Sequence, residues 1–144
     1  MKINSLLSTK SATVITIGPG QKVSLAISMM ASHNIGALVV TNNVGRVVGI
    51  ISERDIVRMA AQREDVTGLA VADVMTRKVV IGVPEDDIIS VAHTMTEKRF
   101  RHLPVIDEDR LVGIISIGDI LKAQRDQYRG EIDTLETQIM ADQE

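Results

Sequence analysis

The chain has 144 residues, enough for one compact domain or for two small ones sharing a core, and too few for a multidomain enzyme. Apolar residues make up 44% and charged residues 24%, a balance that buries a core instead of leaving a disordered chain. Cysteine is absent, which excludes disulfides, thiolate metal sites and cysteine nucleophiles, and a formal charge of −3 gives no surface-wide field for nucleic acid or an anionic membrane. Phe100 and Tyr128 are the only aromatics, so stacking on single-stranded bases is nearly unavailable and the core must be aliphatic. Its material is 17 valines and 18 isoleucines, β-branched residues that favour strands packed under helices.

In chain order, Met1 to Leu7 carries one lysine and an apolar stretch too short for a signal peptide. No later apolar run approaches a membrane span, so a soluble cytoplasmic protein is expected. A strand is expected over Val14 to Ile17. Val23, Ala26, Ile27 and Met30 then have the spacing of one helix face. Strands follow over Ala37 to Thr41 and Val47 to Ile51, joined by a turn around Asn42-Asn43, and Ser52-Glu53-Arg54-Asp55 opens a second helix. The segment Arg63 to Arg77 is a connector: Thr67-Gly68 breaks the helix before it, and Val71 to Met75 leads onward.

The pattern then repeats. Pro84 answers Pro19, and Ile88, Val91, Ala92 and Met95 answer the helix face with an offset of 65 residues. Gly113-Ile114-Ile115-Ser116 answers Gly49-Ile50-Ile51-Ser52, and Asp119-Ile120 answers Asp55-Ile56, with an offset of 64. The lost residue falls in the turn, where Asp107 to Arg110 replaces the longer Asn42 to Arg46. Strands are therefore expected over Val79 to Val83, Leu103 to Ile106 and Leu111 to Ile115. The fold class is mixed α/β, two repeats of strand, helix, strand, strand, helix packed through their sheets. The parts are a first repeat with its lead-in at 1–62, a linker at 63–78, a second repeat at 79–125 and a C-terminal helical extension at 126–144. Along the final helix Leu121, Tyr128, Ile132, Leu135 and Ile139 form a narrow stripe that either folds back on its own domain or pairs with another copy, weakened locally at Gly130 by about 1 kcal/mol.

Ser52 with Asp55, and Ser116 with Asp119, each sit where a strand enters a helix. As capping boxes they stabilise the helix starts. The same junction offers free amides and the positive end of a helix to a phosphate or sugar hydroxyl, and an aspartate there can accept from two vicinal hydroxyls. His33 and His93 lie on polar helix faces, and no histidine or carboxylate set has zinc spacing, so no metal site is expected. Glu85-Asp86-Asp87 reads as a helix start. Walker loops, nucleophile elbows and nucleophile–base pairs are missing, so no catalytic residue is assigned.

With Gly-h-h-Ser-x-x-Asp twice (h, an aliphatic residue) and Arg101-His102-Leu103-Pro104-Val105-Ile106-Asp107 in the second copy, the chain resembles a tandem cystathionine-β-synthase (CBS) domain pair, the Bateman module, over about Ser5 to Gln124. The resemblance implies two clefts related by a pseudo-twofold axis, holding adenosine ligands such as AMP, ADP, ATP, S-adenosylmethionine or NAD. It places Ser52, Arg54 and Asp55 with Val79, Val80, Ile81, Arg99, Arg101 and His102 in the first cleft. There Asp55 holds ribose, the aliphatic strand lines adenine, and Arg99, Arg101 and His102 form a positive cluster against phosphate. The second cleft joins Ser116 and Asp119 to Val14, Ile15, Asn34, Ile35, Gly36 and Ala37. Gly36-Ala37 stands where the other copy has Arg101-His102, so the first cleft is expected to take the more negative part of a ligand. The expected protein is a non-catalytic, homodimeric adenine-nucleotide sensor, AMP first among its ligands, acting on a separate protein partner. The alternative is a ligand-independent dimerisation or interaction module.

Overall fold

A computed structural model describes residues 1–10 and 14–142, with side chains described through residue 140. In chain order the elements are α1 (Ile3–Thr9), β1 (Thr16–Ile17), α2 (Val23–His33), β2 (Ala37–Thr41), β3 (Val47–Ser52), α3 (Glu53–Ala60), a single 3-10 turn at Val66–Gly68, α4 (Val71–Val74), α5 (Ile88–Lys98), β4 (His102–Asp107), β5 (Arg110–Ser116) and α6 (Ile117–Asp142). β1 runs parallel to β2, which pairs antiparallel with β3; β4 and β5 form a second antiparallel pair. The turn between β2 and β3 is built on Asn42, whose side-chain oxygen accepts from Val44 and Arg46, with Gly45 at φ 80°. Its counterpart is a tight turn with Glu108 and Asp109 both left-handed, the geometry of a two-residue hairpin.

Two sequence expectations need correction. Val79 to Val83 is not a strand: one parallel bridge joins Gly82 to Val105, through Gly82 N–H to the Pro104 carbonyl and Ile106 N–H to the Gly82 carbonyl, both 2.9 Å. The ladder stops there because the Asp86 carboxylate accepts the Val83 N–H and the Pro84 and Asp86 carbonyls accept from Asn4 and Ile3 of α1. Likewise Val14 and Ile15 precede β1 without joining it. On α2, Val23, Ala26 and Met30 are buried but Ile27 is exposed, since it sits at the edge of the arc those three define. The C-terminal extension is helical through Asp142; residues 143–144 lie outside the described residues.

The core is two clusters, and each borrows from the segment leading into the other repeat. Ile17, Val23, Met30, Leu38, Val40, Ile51 and Ile56 are completed by Val66, Val71, Val74 and Met75 from the connector. The other cluster, Ile88, Val91, Met95, Leu103, Val105, Ile115 and Ile120, is completed by Ile3 and Leu6 of α1. Backbone bonds repeat the exchange: Val71 N–H to the Gln21 carbonyl and Ala72 N–H to the Pro19 carbonyl on one side, Ile3 N–H to the Asp86 carbonyl and Asn4 N–H to the Pro84 carbonyl on the other.

The motif glycines make room for these lead-ins. A Cβ on Gly49 would stand 2.6 Å from the Met75 sulfur and 2.9 Å from the Thr76 carbonyl oxygen, which itself accepts from the Ile50 N–H at 3.0 Å. On Gly113 its three nearest neighbours would all be atoms of the Leu7 side chain, the first at 2.5 Å. Leu7 is half-buried and able to turn, whereas the Thr76 backbone is fixed by two bonds to Ile50. Gly49→Ala is therefore expected to destabilise the fold by about 1–3 kcal/mol and Gly113→Ala by less. Urea unfolding midpoints check the order.

Candidate ligand-binding clefts

β3 ends at Ser52 and α3 starts at Glu53, so the first amides of α3 are left without intrahelical acceptors. The Ser52 hydroxyl accepts from Asp55 N–H at 3.2 Å and donates to Asp55 Oδ2 at 3.0 Å. That same oxygen accepts the Ser52 N–H at 2.9 Å. One carboxylate oxygen is thus committed to the cap. Among the described residues the other, Oδ1, accepts only the Thr76 hydroxyl, at 3.2 Å. Thr76 belongs to the stretch just before Val79, so the geometry brings Asp55 to the approach of the second repeat.

The twin junction differs. Ser116 Oγ accepts from Asp119 N–H at 3.1 Å, and Asp119 Oδ2 accepts the Ser116 N–H at 2.8 Å. Lys10 then lays its ammonium 2.7 Å from the same oxygen and donates to the Ile114 carbonyl at 2.8 Å. Lys10 stands on the approach to the first repeat, as Thr76 does for the second. The two junctions are therefore alike in plan, each aspartate reaching to the other repeat's lead-in, and unlike in charge.

This arrangement matches a known family. The CBS domain model matches twice, over residues 7–61 and 71–126. The chain belongs to the CBS domain family. It is 35% identical over 119 residues to the mitochondrial CBS domain-containing protein CBSX3 of Arabidopsis thaliana, a match covering 79% of this chain and 58% of that protein. Among solved structures, the CBS domain pair of protein MJ0100 in complex with 5′-methylthioadenosine and S-adenosyl-L-methionine superposes with a TM-score of 0.79 at 26% identity, covering 88% of this chain and 98% of that one. The CBS domain protein PAE2072 from Pyrobaculum aerophilum, complexed with AMP, superposes with a TM-score of 0.74 at 26% identity, covering 83% of this chain and 89% of that one.

Within each CBS repeat the helix start is tied to the strand beside it: Glu53 N–H donates to the Gly36 carbonyl at 3.0 Å and Ile117 N–H to the Arg101 carbonyl at 2.9 Å. Gly36-Ala37 thus lies beside Ser52, and Arg101-His102 beside Ser116. A Cβ on Gly36 would stand 3.2 Å from Glu53 Oε1 of the same repeat and, across to the second repeat, 3.7 Å from His102 Nε2. Burial pushes the His102 imidazole below its ordinary value, outweighing the upward pull of the Glu53 carboxylate, with Lys10 and Arg101 also lowering it. Burial therefore favours the neutral imidazole, and the exposed Arg99 and Arg101 are the permanent cations of the cluster expected from sequence. Asp119 is partly buried, which opposes its charge, yet the Lys10 ammonium and Ser116 donors together hold its carboxyl below the usual range.

The remaining expected residues form walls or edges. Arg54 is exposed on the first turn of α3. Asn34 and Arg99 end α2 and α5 in the left-handed conformation, at φ 53° and 58°. Ile15 and Ile35 are half-buried against the first core, Val14 is half-buried beside them in sequence, and Ala37 is buried in β2. Val79 is half-buried, Val80 packs on the second core, and Ile81 is exposed. Val80 and Ile81 line a groove of about 320 Å³ with Asp86, Asp87, Phe100 and Leu103. Its carboxylates are already engaged, Asp86 by Val83 N–H and Asp87 by the amides of Ile89 and Ser90. Sequence reading missed Lys10, Thr76 and Glu53. The signal for the first two was there in outline, because Ile3, Leu6 and Leu7 have the same spacing as Val71, Val74 and Met75, which extends the duplication into both lead-ins.

His102 carries a pH test with a fixed sign. Its folded value lies below the ordinary 6.5, so as pH falls the unfolded chain binds the proton first. Stability is full above about pH 6.5, declines below it, and levels off once the folded imidazole protonates. His102→Gln is expected to remove that decline, read from denaturation midpoints between pH 7.5 and 5. NMR titration of the wild-type imidazole should give the depressed value directly.

Proposed function

We propose that this CBS pair is a non-catalytic adenine-nucleotide sensor of the cytoplasm, working as a homodimer and acting on a separate protein partner through a ligand-dependent change of conformation. The observation that carries the reading is the Asp55 junction. It combines a capping carboxylate with one oxygen held, among the described residues, by nothing stronger than a neutral 3.2 Å hydroxyl bond, at the positive end of a helix. A ribose can replace the Thr76 hydroxyl with two of its own, and Arg54, Arg99 and Arg101 supply cations for a phosphate. The AMP complex of PAE2072 and the adenosine ligands of MJ0100 support the same ligand class for this chain. AMP is the first candidate, with ADP, ATP and NAD behind it.

The two clefts are ranked by what a ligand must displace. At Asp55 it gives up a neutral contact. At Asp119 it gives up a charge-assisted 2.7 Å ion pair, so the second cleft fills later unless Lys10 swings to the ligand's phosphate. In the resemblance-based scheme Ser52, Arg54 and Asp55 work with Val79, Val80, Ile81, Arg99, Arg101 and His102; Ser116 and Asp119 work with Val14, Ile15, Asn34, Ile35, Gly36 and Ala37. That assignment stands as part of the proposal, with His102 as a neutral hydrogen-bonding group. The exposed stripe on α6 favours a second reading, an interaction module that needs no ligand.

Thermal shift with AMP, ADP, ATP, NAD and adenosine separates the readings. A ligand at 100 times its Kd is expected to stabilise the fold by about 2.7 kcal/mol, and no shift with any of them leaves only the interaction module. Calorimetric titration should then show AMP affinity lost in Asp55→Ala and largely kept in Asp119→Ala, with Lys10→Met raising adenosine uptake at the second cleft. Equal loss of every ligand from both aspartate variants would remove the ranking.

A further inference from the structure

α6 is two helices in function. Its first part is anchored: Ile117, Ile120 and Ala123 pack on the second core. From Arg125 to Met140 every residue is exposed, and Tyr128, Ile132, Leu135 and Ile139 remain 53–62% accessible. Sixteen residues span about 24 Å, and a helix of that length is marginal in water without something to cover its apolar face. The spacing 4, 3, 4 places Tyr128 and Leu135 at one coiled-coil seam position (d) and Ile132 and Ile139 at the other (a). Arg129 and Glu136 then fall together on one flank (e), and Glu131 and Gln138 on the other (g).

We propose that this free arm pairs with the same arm of a second copy, antiparallel, about a twofold axis between residues 133 and 134. This rests on the homodimer reading above and fixes its geometry at the arm. In the antiparallel register Tyr128 meets the second copy's Ile139 and Ile132 meets its Leu135, so all four apolar layers are filled. Arg129 falls opposite the second copy's Glu136, twice by symmetry, and Glu131 falls opposite Gln138. The helix dipoles also oppose favourably. The parallel register has the reverse charge pattern: Arg125 meets Arg125 inside the seam, and Glu131 faces the second copy's Glu136. Antiparallel pairing also uses the whole free length, because the point where one arm leaves its body lies opposite the end of the other helix.

Glu136→Arg decides between the registers. It is expected to weaken the dimer roughly tenfold by setting Arg129 against a second arginine at both flanks, and the exchange Arg129→Glu with Glu136→Arg should restore it. In a parallel pair the single variant would strengthen association by pairing with Glu131, which overturns the proposal. The chain has no cysteine, so introduced thiols are unambiguous. A mixture of Tyr128→Cys and Ile139→Cys chains should form a disulfide between the two variants under mild oxidation, while neither variant links to itself. A wild-type chain that sediments as a monomer at about 50-fold the concentration used for nucleotide titration overturns both this inference and the homodimer reading. A dimer indifferent to Glu136→Arg and lacking the link between positions 128 and 139 overturns this inference alone, and places the contact on the bodies.

Discussion

The close approach of each lead-in to the other repeat's final strand is the constraint on which this structure turns. Gly49 admits Met75 and the Thr76 backbone, and Gly113 admits Leu7. Each repeat, at roughly 50 residues, would bury too little surface to stand alone. By lending Val71, Val74 and Met75 to one core and Ile3 and Leu6 to the other, the chain makes each half incomplete without the segment that leads into its twin. The same exchange delivers Thr76 to Asp55 and Lys10 to Asp119. Core and clefts are therefore built by one device, and a change at either motif glycine reaches both.

The aspartates carry a second economy. At each junction one carboxylate oxygen closes the helix cap, a role worth about 1 kcal/mol. At Asp55 this leaves Oδ1 turned towards the lead-in. At Asp119 the cap and the lysine share a single oxygen. Both copies thus keep the cap, which the fold needs, while the partner beyond it differs, a neutral hydroxyl at one and an ammonium at the other. Unequal clefts follow from a difference outside the motif itself.

This explains which parts of the molecule were legible in the amino-acid order. Helix faces apart from Ile27, the four long strands and both capping boxes rest on local periodicity and spacing, and they stand where that periodicity puts them. Val79 to Val83 misled because its valines carry strand propensity, while the ladder is decided by a remote competitor, the Asp86 carboxylate and the carbonyl bonds to α1. His102 reads as a cation in a list beside Arg99 and Arg101, whereas its burial, which no local pattern encodes, favours the neutral imidazole. Lys10 lies 109 residues from Asp119, a pairing that no local pattern encodes. The apolar lead-ins could have been read as a third element of the repeat, since their spacing matches.

α6 joins the clefts to the free arm. Asp119 is its third residue, and Tyr128 to Ile139 is its far half, with no break between them. A ligand that takes Asp119 from Lys10 therefore acts on the first turn of the same helix that carries the exposed stripe. The shift it can impose is limited to the difference in its affinity for the two arrangements of that turn. Asp55 has no such connection, because α3 ends at Ala60, short of the connector. On this geometry the clefts divide labour: the one that is easier to fill lies on a short helix enclosed in its own repeat, and the one guarded by Lys10 lies at the root of the arm. On the proposed reading, occupancy of the guarded cleft is the event coupled to how the arms meet.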